Sequence, residues 1–385
     1  MSEASGEAST SARGRAAGLL EGFDGSLVPV IVASTAVVVF GGLVQVSFGT
    51  FSMTVTEAWR AVLDPDIWGH PGLLAEFFLG DTVGGALAAQ FGWTTDVELA
   101  HETIIVWTVR LPRVLVAILV GANLAISGAI FQAVTRNELA SPYILGVSSG
   151  AGLAILLTLV VFSGLTAFLP ILAALGGTTA FLIVYVIAWK GGTSPVRLVL
   201  AGVIVGTVFQ SLQTGIFFFA DDLGVVQSAI AWTTGSLTGT DWEQVRLALP
   251  WTLLATVLAL AGSRQLNVLL LGERTARSLG MSVERVRFAL SAVAILAAAA
   301  AIAVAGIVGF VGLIVPHMVR TLVGSDYRQL IVGCLFVGPA LMVGADVGAR
   351  LAMDPVQIPV GIVTGLVGGP YFLYLMRRQE QLGDL

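Results

Sequence analysis

Long apolar runs recur along the chain, each near the length of a bilayer crossing and divided from the next by a polar break. A helix needs about 20 apolar residues to cross the hydrocarbon layer. Ten runs read as spans, at about 26–46, 111–133, 144–162, 166–189, 196–219, 243–262, 288–305, 308–323, 329–348 and 357–376. The pattern therefore predicts an all-α integral membrane fold with ten transmembrane helices. Residues 1–26 are small and polar, which predicts a disordered tail. They lack the charged start, short apolar core and cleavage site of a signal peptide. Residues 27–378 form one membrane domain, and 379–385 a short second tail. Two breaks are long. Residues 47–103 are acidic, aromatic and too interrupted to span, so they are placed outside the bilayer, with interfacial helices anchored by Trp59, Trp68 and Trp93. Residues 263–287 form a basic loop at the opposite face.

Composition sharpens this picture. The 385 residues are 56% hydrophobic and 11% charged, against about a quarter charged in soluble domains. Mean hydropathy is +0.92. The 46 glycines suit close helix packing in lipid. Lys190 is the one lysine among 19 basic residues, and no glycine loop precedes it. That excludes a P-loop ATPase, whose lysine must reach the phosphates. An ATP-driven role would need a separate motor subunit. The single cysteine, Cys334, permits no intrachain disulfide, and His70, His101 and His317 are far apart. No metal site, cofactor, covalent chemistry or nucleic-acid partner is expected. Ten spans put both termini on one side. With the termini inside, Arg60, Arg110, Arg113, Arg246 and Arg350 fall outside, and the other twelve basic residues beyond the tail fall inside. This follows the positive-inside rule.

Three features are candidates for function. In the loop SRQLNVLLLGERTARSLGMSVERVR, Glu273–Leu279 reads as a short helix stopped by Gly280, and Ser282 can cap the next helix. The result is a compact knob fit to dock on a soluble partner, or simply a solvated basic loop. Arg110 and Arg113, in RLPR, and Arg350 stand at an otherwise acidic outer face. Arginine is suited to bidentate carboxylate capture, but snorkelling and an Asp346–Arg350 helical pair account for the same residues. In the fifth span, Gly206, Gln210, Gln213 and Phe217 share a helical face. Glutamines at that depth line a cavity or bond a neighbouring helix. No charged cluster at the membrane centre offers a proton relay. His317 reads as a packing or hydrogen-bonding residue. A short internal echo relates GAIFQAVTR (128–136) to GLIVPHMVR (312–320).

Several long stretches, in order, resemble the FecCD/BtuC family of ABC-importer permeases, which carry vitamin B12, haem and iron siderophores. They are RLPRVLVAILVGANLAISGAIFQAVTRNELASPYILGVSSGAG (110–152), LVLAGVIVG (198–206), WTTGSLTGTDW (232–242), LGERTARSLGMSVERVR (271–287), GFVGLIVPHMVRTLVGSDYR (309–328) and IPVGIVTGLVGGPYFLYLMRR (358–378). The resemblance implies a ten-span subunit pairing as a homodimer around a central pathway. It implies two ATP-binding-cassette ATPase subunits docked inside on Glu273, Arg274, Arg277, Leu279, Gly280 and Met281. It implies an extracytoplasmic substrate-binding protein docked outside on Arg110, Arg113 and Arg350. An inner gate is implied at Thr193 and Ser194, ahead of Pro195, where the family often carries a hydroxyl residue. Within the family the likeness is nearest the cobalamin permeases, with ferric siderophore or haem as alternative cargo. A carrier or channel without an ATPase, or a membrane scaffold, would be the readings of another class.

Overall fold

The computed structural model describes residues 25–47, 51, 53–220, 222–353 and 357–383. The first tail, apart from Gly25 and Ser26, lies outside the described residues, as do the last two residues of the chain. Every regular element described is helical. The chain begins with α1 (Leu27–Ser47), α2 (Val55–Val62), α3 (Pro65–Trp68), α4 (Pro71–Phe91) and α5 (His101–Ile105). It continues through α6 (Leu111–Thr135), α7 (Val147–Leu156), α8 (Leu169–Ala188), α9 (Pro195–Phe217) and α10 (Leu223–Thr234). Then follow α11 (Trp242–Ala261), α12 (Ser263–Leu270), α13 (Glu273–Ser278), α14 (Val283–Ala305), α15 (Val311–Val323), α16 (Tyr327–Leu351) and α17 (Val360–Gly383).

Among the described residues, eight helices are long and apolar enough to cross a membrane. Seven of them, with the shorter apolar helices Val147–Val161, Val311–Val323 and Val360–Tyr374, fall on the ten expected spans. The eighth, α4, lies in the segment expected not to span. It passes a length test without being a straight rod. Gly80 sits at φ 84°, ψ 161°, outside helical space. A Cβ on Gly84 would strike the carbonyl of Ala75, a residue about 13 Å away in a continuous helix rising 1.5 Å per residue. The segment is thus a helical hairpin folded at Gly80, a backbone conformation that glycine adopts without steric cost.

α6 is the central post. Of its 25 residues, Leu111, Leu115 and Ile118 alone are not fully buried. Glycines let neighbouring backbones touch it: Gly121 meets Gly338 of α16, and Gly128 meets Gly312 of α15. Those last two are the matching glycines of the internal echo, so the two echoing helices cross where neither has a side chain. Polar residues bond across the same core. Asn123 Nδ2 donates to Thr252 Oγ1 at 2.6 Å, and Ser127 Oγ to the Ala294 carbonyl at 2.6 Å. Such bonds satisfy groups that lipid could not.

The two ends of the bundle differ. At one end α6 and α11 begin and α16 finishes. A π-helical turn, Val106–Arg110, joins α5 to α6, so the helical rod starts at His101 rather than at 111. The turn buries Trp107, which packs against Trp68, Phe77 and Trp242 with ring centroids 5.4–6.4 Å apart. Its indole donates to the Ala61 carbonyl at 2.9 Å. This cluster pins α2–α4 onto the bundle, and Arg246 Nη1 fixes the hairpin by donating to the Phe77 carbonyl at 2.8 Å. The expected anchors Trp59, Trp68 and Trp93 are exposed, and Trp107, which the sequence did not single out, is the hub. We term this the hairpin end. At the opposite, knob end, α6 and α11 finish, α9 and α14 begin, and α12 and α13 lie between α11 and α14.

Three further departures from expectation are local. The break after the fifth span holds α10, started by Asp222, whose carboxylate accepts from the backbone of Gly224 and Val225. Ser282 stands at the α14 N-terminus but makes no side-chain capping bond. α17 runs on to Gly383, so residues 379–383 are helical rather than a separate tail.

Candidate functional site

The knob is built by two glycines. Gly272 (φ 97°) lets the chain leave α12, and Gly280 (φ 83°) stops the turn after α13. α13 is a little shorter than expected, ending at Ser278 with Leu279 as its cap. Arg274, Arg277, Leu279 and Gly280 are exposed, Met281 is half-buried and Ala276 is buried beneath them. Leu271, which sequence reasoning passed over, is also exposed, so the knob presents two leucines beside two cations.

Glu273, at the first position of α13, divides its two oxygens. Oε2 takes the exposed Arg277 guanidinium at 3.2 Å, and Oε1 takes Arg287 at 2.7 Å. Arg287 is 1% exposed. Its Nη1 donates to the Thr193 carbonyl at 2.7 Å, to Thr193 Oγ1 at 3.0 Å and to Glu284 Oε1 at 3.2 Å. Thr193 in turn donates to Glu284 Oε2 from its backbone at 3.0 Å and its hydroxyl at 2.7 Å. Ser194 caps α9 by accepting from the Arg197 backbone at 3.2 Å. The expected docking loop and the expected gate are therefore one connected structure. Arg287 and Glu284 are its missing members. In the sequence they read as inner charges, although the i,i+3 spacing in VERVR was their signal.

The fifth-span face is rotated from the expected one. Gln210 is exposed, but Gln213 is buried and donates to the Ser149 carbonyl of α7 at 2.9 Å. Gly206 and Phe217 are half-buried, and Gly206 lies over Ser149. The exposed polar residues are Thr207, Gln210, Ser211 and Thr214, which fall within about 100° of arc at 3.6 residues per turn. Each of the three hydroxyls donates to the carbonyl four residues back, at 2.9–3.0 Å. The stripe thus presents acceptor oxygens and one amide without unmet hydroxyl donors.

At the hairpin end the arginines are committed within the chain. Arg110 is 4% exposed and donates to the carbonyls of Val46 and Phe51. Arg113 is 7% exposed and grips Asp346 with two bonds, Nε at 2.9 Å and Nη2 at 2.8 Å, while Nη1 reaches Gln357 at 2.8 Å. Asp346 is fully buried. Arg350 is half-buried and donates to the Gln45 carbonyl at 3.0 Å. Arg110 and Arg113, expected as contacts for a binding protein, are thus buried in this chain with internal partners, without which burial would cost each several kcal/mol. At the knob end His317 Nδ1 lies 3.4 Å from Glu138, which also meets Arg320 at 3.3 Å.

Comparison with known proteins agrees with this architecture. Residues 37–378 match the FecCD transport family. The iron(3+)-hydroxamate import system permease protein of Bacillus subtilis (strain 168) is 37% identical over 287 residues, covering 72% of this chain and 85% of the relative. The cobalamin import system permease protein of Halobacterium salinarum is 41% identical over 301 residues, covering 78% and 79%. A solved structure, described as an inward-facing metal-chelate type ABC transporter, superposes with a TM-score of 0.73 at 27% identity, covering 91% of this chain and 99% of that one.

Proposed function

The chain belongs to the FecCD transport family, and from that premise we propose that it is the membrane permease subunit of an ATP-binding-cassette importer for a metal chelate. The observation that carries the reading is the knob: a short, glycine-bounded helix at the basic end, exposing Leu271, Leu279, Arg274 and Arg277. Exposed leucines ringed by cations fit a protein interface better than a bare solvated loop. The chain has no P-loop, so the ATPase must be a partner. Two copies of that ATPase dock on Glu273, Arg274, Arg277, Leu279, Gly280 and Met281, one on each protomer of a homodimer. The basic knob end is cytoplasmic and holds both termini, by the positive-inside rule.

The pathway runs between the two protomers. Support comes from α9, whose polar stripe faces outward in the single chain. The three hydroxyls of the stripe bond their own helix, but Gln210 at that depth is costly against lipid, and a second copy around a wet channel removes the cost. Thr193 and Ser194 stand at the cytoplasmic mouth as the gate. A substrate-binding protein delivers cargo at the hairpin end. There Arg350 and the α4 hairpin are the proposed contacts, and Arg110 and Arg113 hold the surface in shape. ATP binding closes the motor, the knob moves, and the pathway opens alternately to each side.

The cargo is the whole chelate, and cobalamin is the specific candidate. One relative is a cobalamin permease and another an iron(3+)-hydroxamate permease. Both names describe bulky metal chelates, which suits a smooth, weakly binding channel rather than a tight site. Affinity capture of the importer's ATPase on the detergent-solubilised chain tests the docking assignment. Arg274→Glu combined with Leu279→Asp is expected to cut capture at least about tenfold, the loss of one or two good contacts. Undiminished capture would remove the knob from the interface.

A further inference from the structure

The knob and the turn ahead of α9 are remote in sequence but meet on one side chain. Arg287 is 14 residues from Glu273 and 94 from Thr193, and it bonds both. We propose that Arg287 is the joint that passes displacement of the knob to the turn at the mouth of the pathway. The inference rests on the reading of the knob as the motor's docking site.

The chemistry of the guanidinium makes it fit for this. Its planar fork carries five N–H donors in fixed directions. One arm reaches the knob through Glu273 and the other reaches the turn through Thr193, so the two cannot shift independently without losing a bond. A lysine, with one point of charge, could not span both. Burial raises the cost of separation: at 1% exposure, water cannot replace a lost partner. Glu284, one turn earlier on α14, closes the ring by holding the Thr193 amide and hydroxyl.

The two bonds of Glu273 are unequal in a useful way. Its pair with Arg277 is exposed, with the arginine side chain 59% accessible, whereas its pair with Arg287 is half-buried, with that arginine side chain 1% accessible. Exposed i,i+4 pairs are weak and readily exchanged. A partner carboxylate that captures Arg277 therefore frees one oxygen of Glu273 without breaking the link to Arg287. The weak bond faces the motor and the strong one faces the gate. Motion applied at the knob is carried inward through the bond that survives.

Hydrogen exchange of the full chain in lipid nanodiscs tests the joint without the motor. Glu273→Gln alters the knob alone. It is expected to raise exchange of the Thr193 amide and its neighbours in residues 190–197 at least about tenfold, as Arg287 shifts and loosens Glu284, the carboxylate that holds that amide. Arg287→Lys is expected to do the same, and Arg285→Gln, which removes an exposed cation two residues away, is expected to leave the turn unchanged. If Glu273→Gln remains folded by size-exclusion and thermal melting and exchange at 190–197 does not change, knob and turn are independent and the proposal fails. Should either variant fail to fold, Glu273→Asp provides the reading: its shorter carboxylate is expected to give a smaller rise at the same amides, and no rise again overturns the joint. ATPase capture is read separately. Unchanged capture by the knob variants with altered exchange would leave the joint standing and sink the docking assignment.

Discussion

Arg113 and Arg287 sit at opposite ends of the bundle, and each is buried with a carboxylate partner. Neither partnership is visible along the chain. RLPR was legible as an odd basic pair at an acidic face, but its partner Asp346 is 233 residues away. Arg350, four residues from Asp346, offered a nearer and mistaken match. Arg287 was hidden for a different reason: inner arginines are expected in every such protein, and its spacing in VERVR points to Glu284 rather than to Glu273 or Thr193. The buried pair at the hairpin end makes a stability prediction. Arg113→Ala leaves the fully buried Asp346 carboxylate without its cation and with Gln45 Nε2 as its remaining side-chain donor, and removing one member of such a pair costs about 3–5 kcal/mol. Replacing both with leucine removes the orphan charge and is expected to restore most of that loss. Thermal unfolding of the three variants in nanodiscs decides it. A single variant as stable as the wild type would show that the pair does not hold the helix ends together.

Among elements, those set by apolar length or by a glycine closing a polar loop were legible, and a glycine fold inside an apolar run was not. Apolar length gave the spans, and Gly280 gave the end of the knob helix. Hydropathy cannot see that Gly80 folds α4 back on itself, so the hairpin could be placed off the spans but not shaped. The polar face of α9 was found but aimed wrongly, because Gln213 turns toward Ser149 and leaves Thr207, Ser211 and Thr214 outward. Rotation about a helix axis is set by its neighbours, which no single segment reports. The crossing of the echoing helices yields a second prediction. Gly128 faces the Gly312 backbone, where no rotamer can relieve a new side chain. Gly128→Val is expected to destabilise by about 1–3 kcal/mol, the usual cost of core overpacking, or more. Gly164, with open space around it, is expected to accept alanine unchanged. Equal melting temperatures for the two variants would contradict the crossing.

At the scale of the molecule, a bundle with a chemically distinct surface at each end is held together by a glycine-crossed central post. The hairpin end locks Arg110 and Arg113 inward and carries the folded α4 segment. The knob end gathers the proposed motor contact and gate around one buried guanidinium. Between them, the outward polar stripe of α9 marks the side proposed for a second copy. On the proposed function, this assembly moves cargo only when a separate ATPase drives it. The most direct measurement is uptake of radiolabelled cobalamin, with a radiolabelled ferric hydroxamate alongside, into proteoliposomes holding the chain and its binding protein. Accumulation of one chelate is expected only when the ATPase subunit and ATP are both present. Equal accumulation without ATP would contradict this and make the chain a carrier or channel.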